Sequence, residues 1–371
     1  MSSEAEISLL TCGSGGDLYS IFGHTAIRVF DPQNKADVVF NYGTFSFTDD
    51  FYYEFTQGKL NYKLSIEPFA NFQAGYIYEN RWVDEQVLNL TPEEKQKVFD
   101  FLLENQKPEN RFYLYDFFYD NCSTRPRDVF EQVLGENLDY QFPTDLPDSS
   151  FRDLTDLYLK NMRWSDAGID LGLGLPADRT ADERQKMYLP DYLMRGFDNA
   201  VVSRGNKMEP LVKKHHRIVE AKPVEEGFVW FRPLLTFIAV LLFTLMIDQI
   251  PGTTLPMRIM DFLIFTVVGI AGWLIVFLWF FTDHNTTQNN LNIIWALPFF
   301  FPLSFLFLFK RKFAWFKKFL VVVWWVELGL LISWFTLPQD LHNSYVFILV
   351  LLLWRIAAYI NKYPFRNIIQ A

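Results

Sequence analysis

The sequence predicts an α+β domain with an antiparallel sheet, followed by an all-α bundle of about five transmembrane helices. Three observations carry that reading. Residues 1–227 hold 24 Lys and Arg against 38 Asp and Glu, while residues 228–371 hold 10 against 5, so a net charge near −14 adjoins one near +5. Nine of the eleven tryptophans follow residue 227. The apolar runs of membrane-spanning length all lie in that second part. At 371 residues the chain is too long for one ordinary domain, and the break falls at 227/228. The acidic first part has no basic stripe, which argues against nucleic-acid binding.

The elements of residues 1–227 follow in order. Residues 6–11 and 25–30 read as strands, separated by the turn Gly13-Ser14-Gly15-Gly16-Asp17. Residues 38–42 form another short strand, and residues 50–58 read as a helix. Tyr62–Glu67 and Trp82–Leu88 alternate as strands do. A helix then starts with Thr91 as N-cap, Pro92 at the first helical position and Glu94 closing a capping box, and it runs to about Asn105. A second helix is expected from Asn121 to the glycine stop at Gly135. Residues 150–200 mix helix and turn, with Gly172-Leu173-Gly174-Leu175-Pro176 read as a turn, since it matches no phosphate loop or dinucleotide fingerprint.

In residues 228–371 the expected spans are 228–247, 259–281, 292–309, 319–336 and 344–361, with Trp230, Trp279, Trp295, Trp315 and Trp334 near their ends as an interfacial belt. Arg258, Lys310, Arg311, Lys312, Lys317, Lys318, Lys362 and Arg366 fall in alternate loops and the tail, whereas the loops around 283–291 and 337–343 carry no Lys or Arg. The positive loops are therefore cytoplasmic, which puts the C-terminus inside and residues 1–227 in the periplasm of an inner-membrane protein. A domain on that side calls for a leader that has been removed, because Met1–Glu6 has neither a basic nor an apolar region. Glu327 and Arg355, inside the fourth and fifth spans, are expected to pair with each other.

For chemistry the candidate nucleophile is Cys122, at the start of the helix opened by Asp120-Asn121-Cys122-Ser123. The helix dipole and the free N–H groups there favour a thiolate and offer donors for an oxyanion. His24, at the mouth of a strand, is the candidate base, and Asn41, on the next strand, is placed to orient it. Taken singly, such a cysteine also fits an inert or bridged thiol, with Cys12 as its only partner, and such a histidine fits a structural role. Tyr19 and Asn121 are candidate oxyanion or orienting donors. Arg28, Arg125 and Arg127 either meet a phosphate or pair with Asp120 and Asp128. His215-His216 has no further ligands nearby, and no metal or cofactor is expected.

The blocks "YSIFGHTAIRV", "NYGTFSF", "QGKLNYKL", "DNCSTRPRD", "GLPADR" and "YLPDYL" occur in order across the first domain. In these blocks the chain resembles a Bacteroidota periplasmic-domain family, with trailing membrane spans, that is connected with lipoprotein N-acylation. Histidine before cysteine, with the cysteine opening a helix, also resembles the circularly permuted papain-like superfamily that includes lecithin:retinol acyltransferase. The resemblance implies Cys122 as nucleophile and His24 as base, with Asn41 as third member by strand order. It further implies a membrane phospholipid as acyl donor, a diacylated lipoprotein as acceptor and a cysteine thioester between them. Two other readings remain open at this point: a papain-like cell-wall peptidase or amidase, and a membrane-anchored binding module with Cys12 and Cys122 bridged.

Overall fold

The computed structural model describes all residues except 46–53, 55, 60, 143–147, 223–229, 311–312 and 362–371. The helix expected over 50–58 lies largely outside the described residues, as do Lys362 and Arg366. The chain divides into two compact units, residues 1–159 with 180–226, and residues 160–179 with 227–371. The sequence reading placed 160–179 with the first domain, whereas by contact this segment belongs with the C-terminal helices.

In the first unit the strands are β1 (Glu6–Cys12), β2 (His24–Asp31), β3 (Ala36–Thr44), β4 (Asn61–Pro68), β5 (Val83–Leu88), β6 (Phe112–Leu114), β7 (Leu138–Tyr140), β8 (Ala200–Arg204), β9 (Lys207–Pro210) and β10 (Val212–Val219). Seven of them form an antiparallel sheet in the order β10-β5-β1-β2-β3-β4-β6, and β7-β8-β9 form a second sheet. The α-helices, numbered along the whole chain, begin with α1 (Phe69–Tyr78), α2 (Pro92–Asn105), α3 (Thr124–Leu134) and α4 (Phe151–Leu159). They continue with α5 (Arg163–Gly172), α6 (Glu183–Lys186) and α7 (Pro190–Asn199).

Alternation along the strands gives the main sheet two buried faces. Ile7, Leu9, Ile27, Val29, Phe40 and Tyr42 pack with Val98 and Leu102 of α2, Val129 and Phe130 of α3, and Leu193 and Phe197 of α7. The intervening residues Leu10, Cys12, Ala26 and Val39 pack with Phe69 and Phe72 of α1. Both faces are covered, so β1 is buried at every residue after Glu6 and β5 along its whole length, including the polar Asp84, Glu85 and Gln86. Helix α2 has the expected capping box, with Thr91 Oγ1 accepting from Glu94 N at 3.2 Å and Glu94 Oε2 accepting from Thr91 N at 2.7 Å. Strand β10, with the polar run Lys213–Arg217, was not legible as a strand. It pairs with β5 at the sheet edge, where such charges are tolerated.

The second unit contains α5 and the apolar helices α8 (Pro233–Asp248), α9 (Thr254–Phe280), α10 (Phe300–Ser304), α11 (Ala314–Ser333) and α12 (Tyr345–Asn361). Two stretches, Thr254–Phe280 and Ala314–Thr336, are long and apolar enough to cross a membrane, while α8 and α12 are shorter. The span expected at 292–309 is not one helix. It is a 3-10 turn at Leu291–Ile294, the short α10 and a second 3-10 turn at Phe305–Leu308, with the break at 295–299 around Pro298, while Pro302 sits in the first turn of α10, where proline is tolerated. This broken segment lies directly on α9: a Cβ at Gly269 would stand 2.0 Å from Phe301 N, and one at Gly272 2.0 Å from Ala296 O. Segment 170–174 is tied to the following loops by Asn290 Nδ2 donating to Leu171 O (2.7 Å), Asn292 Nδ2 to Asp170 O (3.0 Å) and Gln339 Nε2 to Leu173 O (2.9 Å).

Two expectations for this unit are corrected. Arg355 does not pair with Glu327. Its Nε and Nη2 donate to Asp261 at 2.6 and 3.1 Å, and Asp248 stands 3.1 Å from its Nη1. Asp261, inside an apolar run, is the counter-charge that the Glu327 reading passed over. Glu327 is buried, with both carboxylate oxygens lacking a hydrogen-bond partner among the described residues. Trp295 and Trp334 are core residues rather than interfacial ones, and Trp295 Nε1 donates to Asn292 Oδ1 at 2.9 Å.

Candidate functional site

His24 opens β2 and Asn41 lies on β3, both directed to the face covered by α1. The His24 Nε2–H donates to Asn41 Oδ1 at 2.6 Å, because an amide oxygen can only accept. That leaves Nδ1 for Cys122, whose sulfur is hydrogen-bonded to the His24 ring. Asn41 is held in turn by Glu67 of β4, 3.5 Å from its Nδ2. The candidate nucleophile, base and orienting amide therefore form one hydrogen-bonded relay across β2, β3 and the turn before α3.

Two opposing effects act on the Cys–His pair. Burial disfavours charge on both groups, yet their mutual attraction outweighs it. The His24 pKa is raised above its ordinary value and the Cys122 thiol is lowered below its own. The backbone N–H of Thr25 and the Ser123 hydroxyl also bond to the sulfur, and Ser123 Oγ lies 3.0 Å from Thr25 Oγ1. Both shifts favour a thiolate–imidazolium pair, which is what a cysteine nucleophile needs.

The turn that presents Cys122 differs from the expected helix start. Helix α3 begins at Thr124, and buried Asn121 caps it from outside. Asn121 Oδ1 accepts from Ser123 N (2.8 Å) and Thr124 N (2.9 Å), while its Nδ2 donates to Phe117 O (2.7 Å) and Tyr188 O (2.9 Å). Its side chain is thus an orienting group with no donor left for a substrate. With Ser123 and Thr124 N–H taken by Asn121, and Arg125 N–H donating to Asn121 O, the N–H of Cys122 itself is the donor at this turn with no partner among the described residues. It could therefore serve an oxyanion formed at the thiol.

The remaining candidates lie elsewhere or are engaged. Tyr19 is exposed, with its hydroxyl on Asp17. Arg28 forms a two-bond pair with Asp37 (2.8 and 2.9 Å) and reaches Glu85 at 3.1 Å, with its guanidinium 3.5 Å above the Phe69 ring. Arg125 is paired with Asp120 and stacks on Tyr113, and Arg127 bonds Asp128 at 2.7 and 2.9 Å. All three arginines are therefore held by carboxylates: Arg125 and Arg127 by the expected Asp120 and Asp128, and Arg28 by Asp37 and Glu85, which were not the partners expected for it. Cys12 and Cys122 are both free thiols. Cys12 is buried beside Tyr76, and burial pushes its pKa up to about 12, so it is inert. His215 faces Asp198 and Asp84 across the sheet edge, away from the relay.

One residue that sequence reasoning missed is Gly43. Its φ of +85° favours glycine, and a Cβ there would stand 3.0 Å from Cys122 Cβ and 3.5 Å from His24 Cε1. The glycine two residues after Asn41 was the available signal. Glu67 was also missed, since nothing in β4 marks it apart from other exposed-face charges.

Residues 2–155 match the family model described as the Lnb N-terminal periplasmic domain, and residues 224–364 match the one described as the Lnb transmembrane domain. Neither the search of curated proteins nor that of solved structures finds a match.

Proposed function

The chain belongs to the Lnb family, and on that premise we propose that it is a thiol-dependent lipoprotein N-acyltransferase. Its first unit is read as a permuted papain-like domain in the periplasm. Its second is read as an inner-membrane domain of about five spans, one of them broken, with the C-terminus in the cytoplasm.

The reaction runs in two halves. Thiolate Cys122 attacks the carbonyl carbon of a phospholipid ester, and the oxyanion that forms is met by the Cys122 N–H. As the carbon–oxygen bond breaks, imidazolium His24 gives its proton to the departing alkoxide, releasing lysophospholipid and leaving an acyl thioester. The neutral α-amine of a diacylglyceryl-cysteine lipoprotein then attacks that thioester. His24 takes the amine proton, the thiolate leaves, and the amide of a triacylated lipoprotein remains. Asn41 keeps the imidazole in the required orientation throughout.

The observation that carries this reading is the Cys122–His24–Asn41 relay, with a lowered thiol, a raised imidazole and a 2.6 Å orienting bond. The two free cysteines speak against the bridged binding module. The test is a transfer assay on the purified full chain with acyl-labelled phosphatidylethanolamine and a diacylated lipopeptide. The reading expects label in the lipopeptide amide and one lysophospholipid per transfer. Peptide-bond cleavage without acyl transfer would instead establish the peptidase.

A further inference from the structure

The first unit carries four large apolar side chains exposed close together at one end of the sheet: Leu18 (44%), Tyr19 (72%), Ile77 (60%) and Tyr78 (91%). The first pair lies on the loop joining β1 to β2, and the second pair at the C-terminal end of α1. Several contacts join the two tips. Arg81 Nε donates to Gly13 O at 2.8 Å, a Cβ at Gly15 would stand 3.4 Å from Arg81 Cδ, and Tyr19 feels the charges of Glu79 and Arg81.

The same contacts attach the patch to the thiol. The loop bearing Leu18 and Tyr19 runs from Cys12 to His24, which face each other across β1 and β2. Ile77 follows Tyr76, whose hydroxyl bonds the Cys12 sulfur. The nearby charges are Asp17, Glu79 and Lys222, whose backbone exchanges two hydrogen bonds with the Asn80 side chain, with Arg81 buried and bonded to Glu79. Among the described residues Asp17 and Glu79 offset Arg81 and Lys222, so the patch's attraction to a membrane rests on apolar insertion rather than on anionic lipid.

The geometry points to Leu18, Tyr19, Ile77 and Tyr78 as a bilayer-insertion patch that docks this end of the domain on a zwitterionic lipid surface. The inference rests on the acyl-transfer reading and deepens it. A phospholipid ester lies at the boundary of headgroup and acyl chains, and side chains of this kind enter about 5–10 Å into that layer. Tyrosine suits the position, having an apolar body and a polar tip. The patch would bring Cys122 to the depth of the scissile ester without extracting the lipid from the bilayer.

The test uses the full chain reconstituted in vesicles of phosphatidylethanolamine and phosphatidylcholine. One arm places an NBD fluorophore on Tyr78→Cys in a Cys12→Ala, Cys122→Ala background. Blue-shifted emission quenched by lipid-borne spin labels is expected. Water-like emission overturns the proposal, as does protection that depends on protein concentration rather than on lipid, which would place a second copy there.

The other arm follows acyl-adduct formation in the Leu18→Ser, Ile77→Ser, Tyr78→Ser variant. Its rate on bilayer phospholipid should fall roughly tenfold or more, since three apolar insertions are lost. Its rate on a monomeric short-chain phospholipid should be unchanged. An unchanged bilayer rate, or an equal fall on both donors, overturns the patch. A wild-type chain that forms no adduct with either donor sinks the acyl-transfer reading, while the fluorophore result still decides the patch.

Discussion

Replacing Gly43 by alanine puts a methyl group into the space between Cys122 and His24. The new Cβ would meet Cys122 Cβ at 3.0 Å, whereas comfortable carbon contacts are about 3.5–4.0 Å, so something at the site must yield by roughly 0.5–1 Å. Misplacement on that scale costs on the order of 10- to 100-fold in rate. Alanine at the φ of +85° adds about 1–2 kcal/mol of backbone strain, which lowers the thermal midpoint by a few degrees. Gly135 provides the control. It also has positive φ, +56°, but nothing lies within 4 Å of its Cβ position. Gly135→Ala should lose comparable thermal stability and keep its activity. The assay is the rate of acyl-adduct formation at Cys122 beside the thermal midpoint of each variant. If Gly43→Ala reacts at the wild-type rate, or if both variants lose activity in proportion to stability, the close packing of the pair is not what matters.

Cys122 should be alkylated by iodoacetamide at a pH below the ordinary thiol pKa of 9.0, because the imidazolium favours its thiolate. In His24→Ala burial is no longer offset by the imidazolium, and only the Thr25 N–H and Ser123 hydroxyl still favour the thiolate, so the rate at neutral pH should fall and the profile move to higher pH. Identical profiles would contradict the pairing, and Cys12 should stay unlabelled throughout. Asn41→Ala should lower kcat by about 10- to 100-fold with little change in KM, since it frees the imidazole to rotate; a KM effect alone would assign Asn41 to substrate binding. Asn121→Ala releases two helix-start N–H groups and should cost about 1–2 kcal/mol, read by denaturation alongside activity. Arg355→Met leaves Asp261 and Asp248 as buried charges without their cation and should cost about 3–5 kcal/mol, whereas Glu327→Gln should leave that ion pair and stability nearly untouched.

Much of this was legible in the chain. Period-two alternation located β1 to β5 within a few residues, and Thr91-Pro92-Glu93-Glu94 marked the start of α2 because a capping box is a local motif. His24 and Cys122 could be paired in advance because His24 opens a strand, Cys122 sits just before a helix, and the resemblance joins them; Asn41 followed from strand order. Long-range features were harder to read. The capping role of Asn121 depends on Phe117 and Tyr188, the second of them 67 residues away. The proximity of Gly43 to the thiol depends on how α3 meets β3. Strand β10 looks polar because it is an edge. In the second unit, hydropathy detected the apolar run 292–309, but a window average does not register that it breaks around Pro298. Arg355 drew the wrong partner because two acidic residues near it in space, Asp248 and Asp261, are about a hundred residues away along the chain.

The most direct measurement is the intact mass of the purified full chain after incubation with phospholipid and no acceptor. The account predicts an acyl-sized, hydroxylamine-labile addition that maps to Cys122, is absent in Cys122→Ala and disappears when a diacylated lipopeptide is added. An unmodified mass, with both thiols shown free and lysophospholipid absent, would contradict the thioester mechanism.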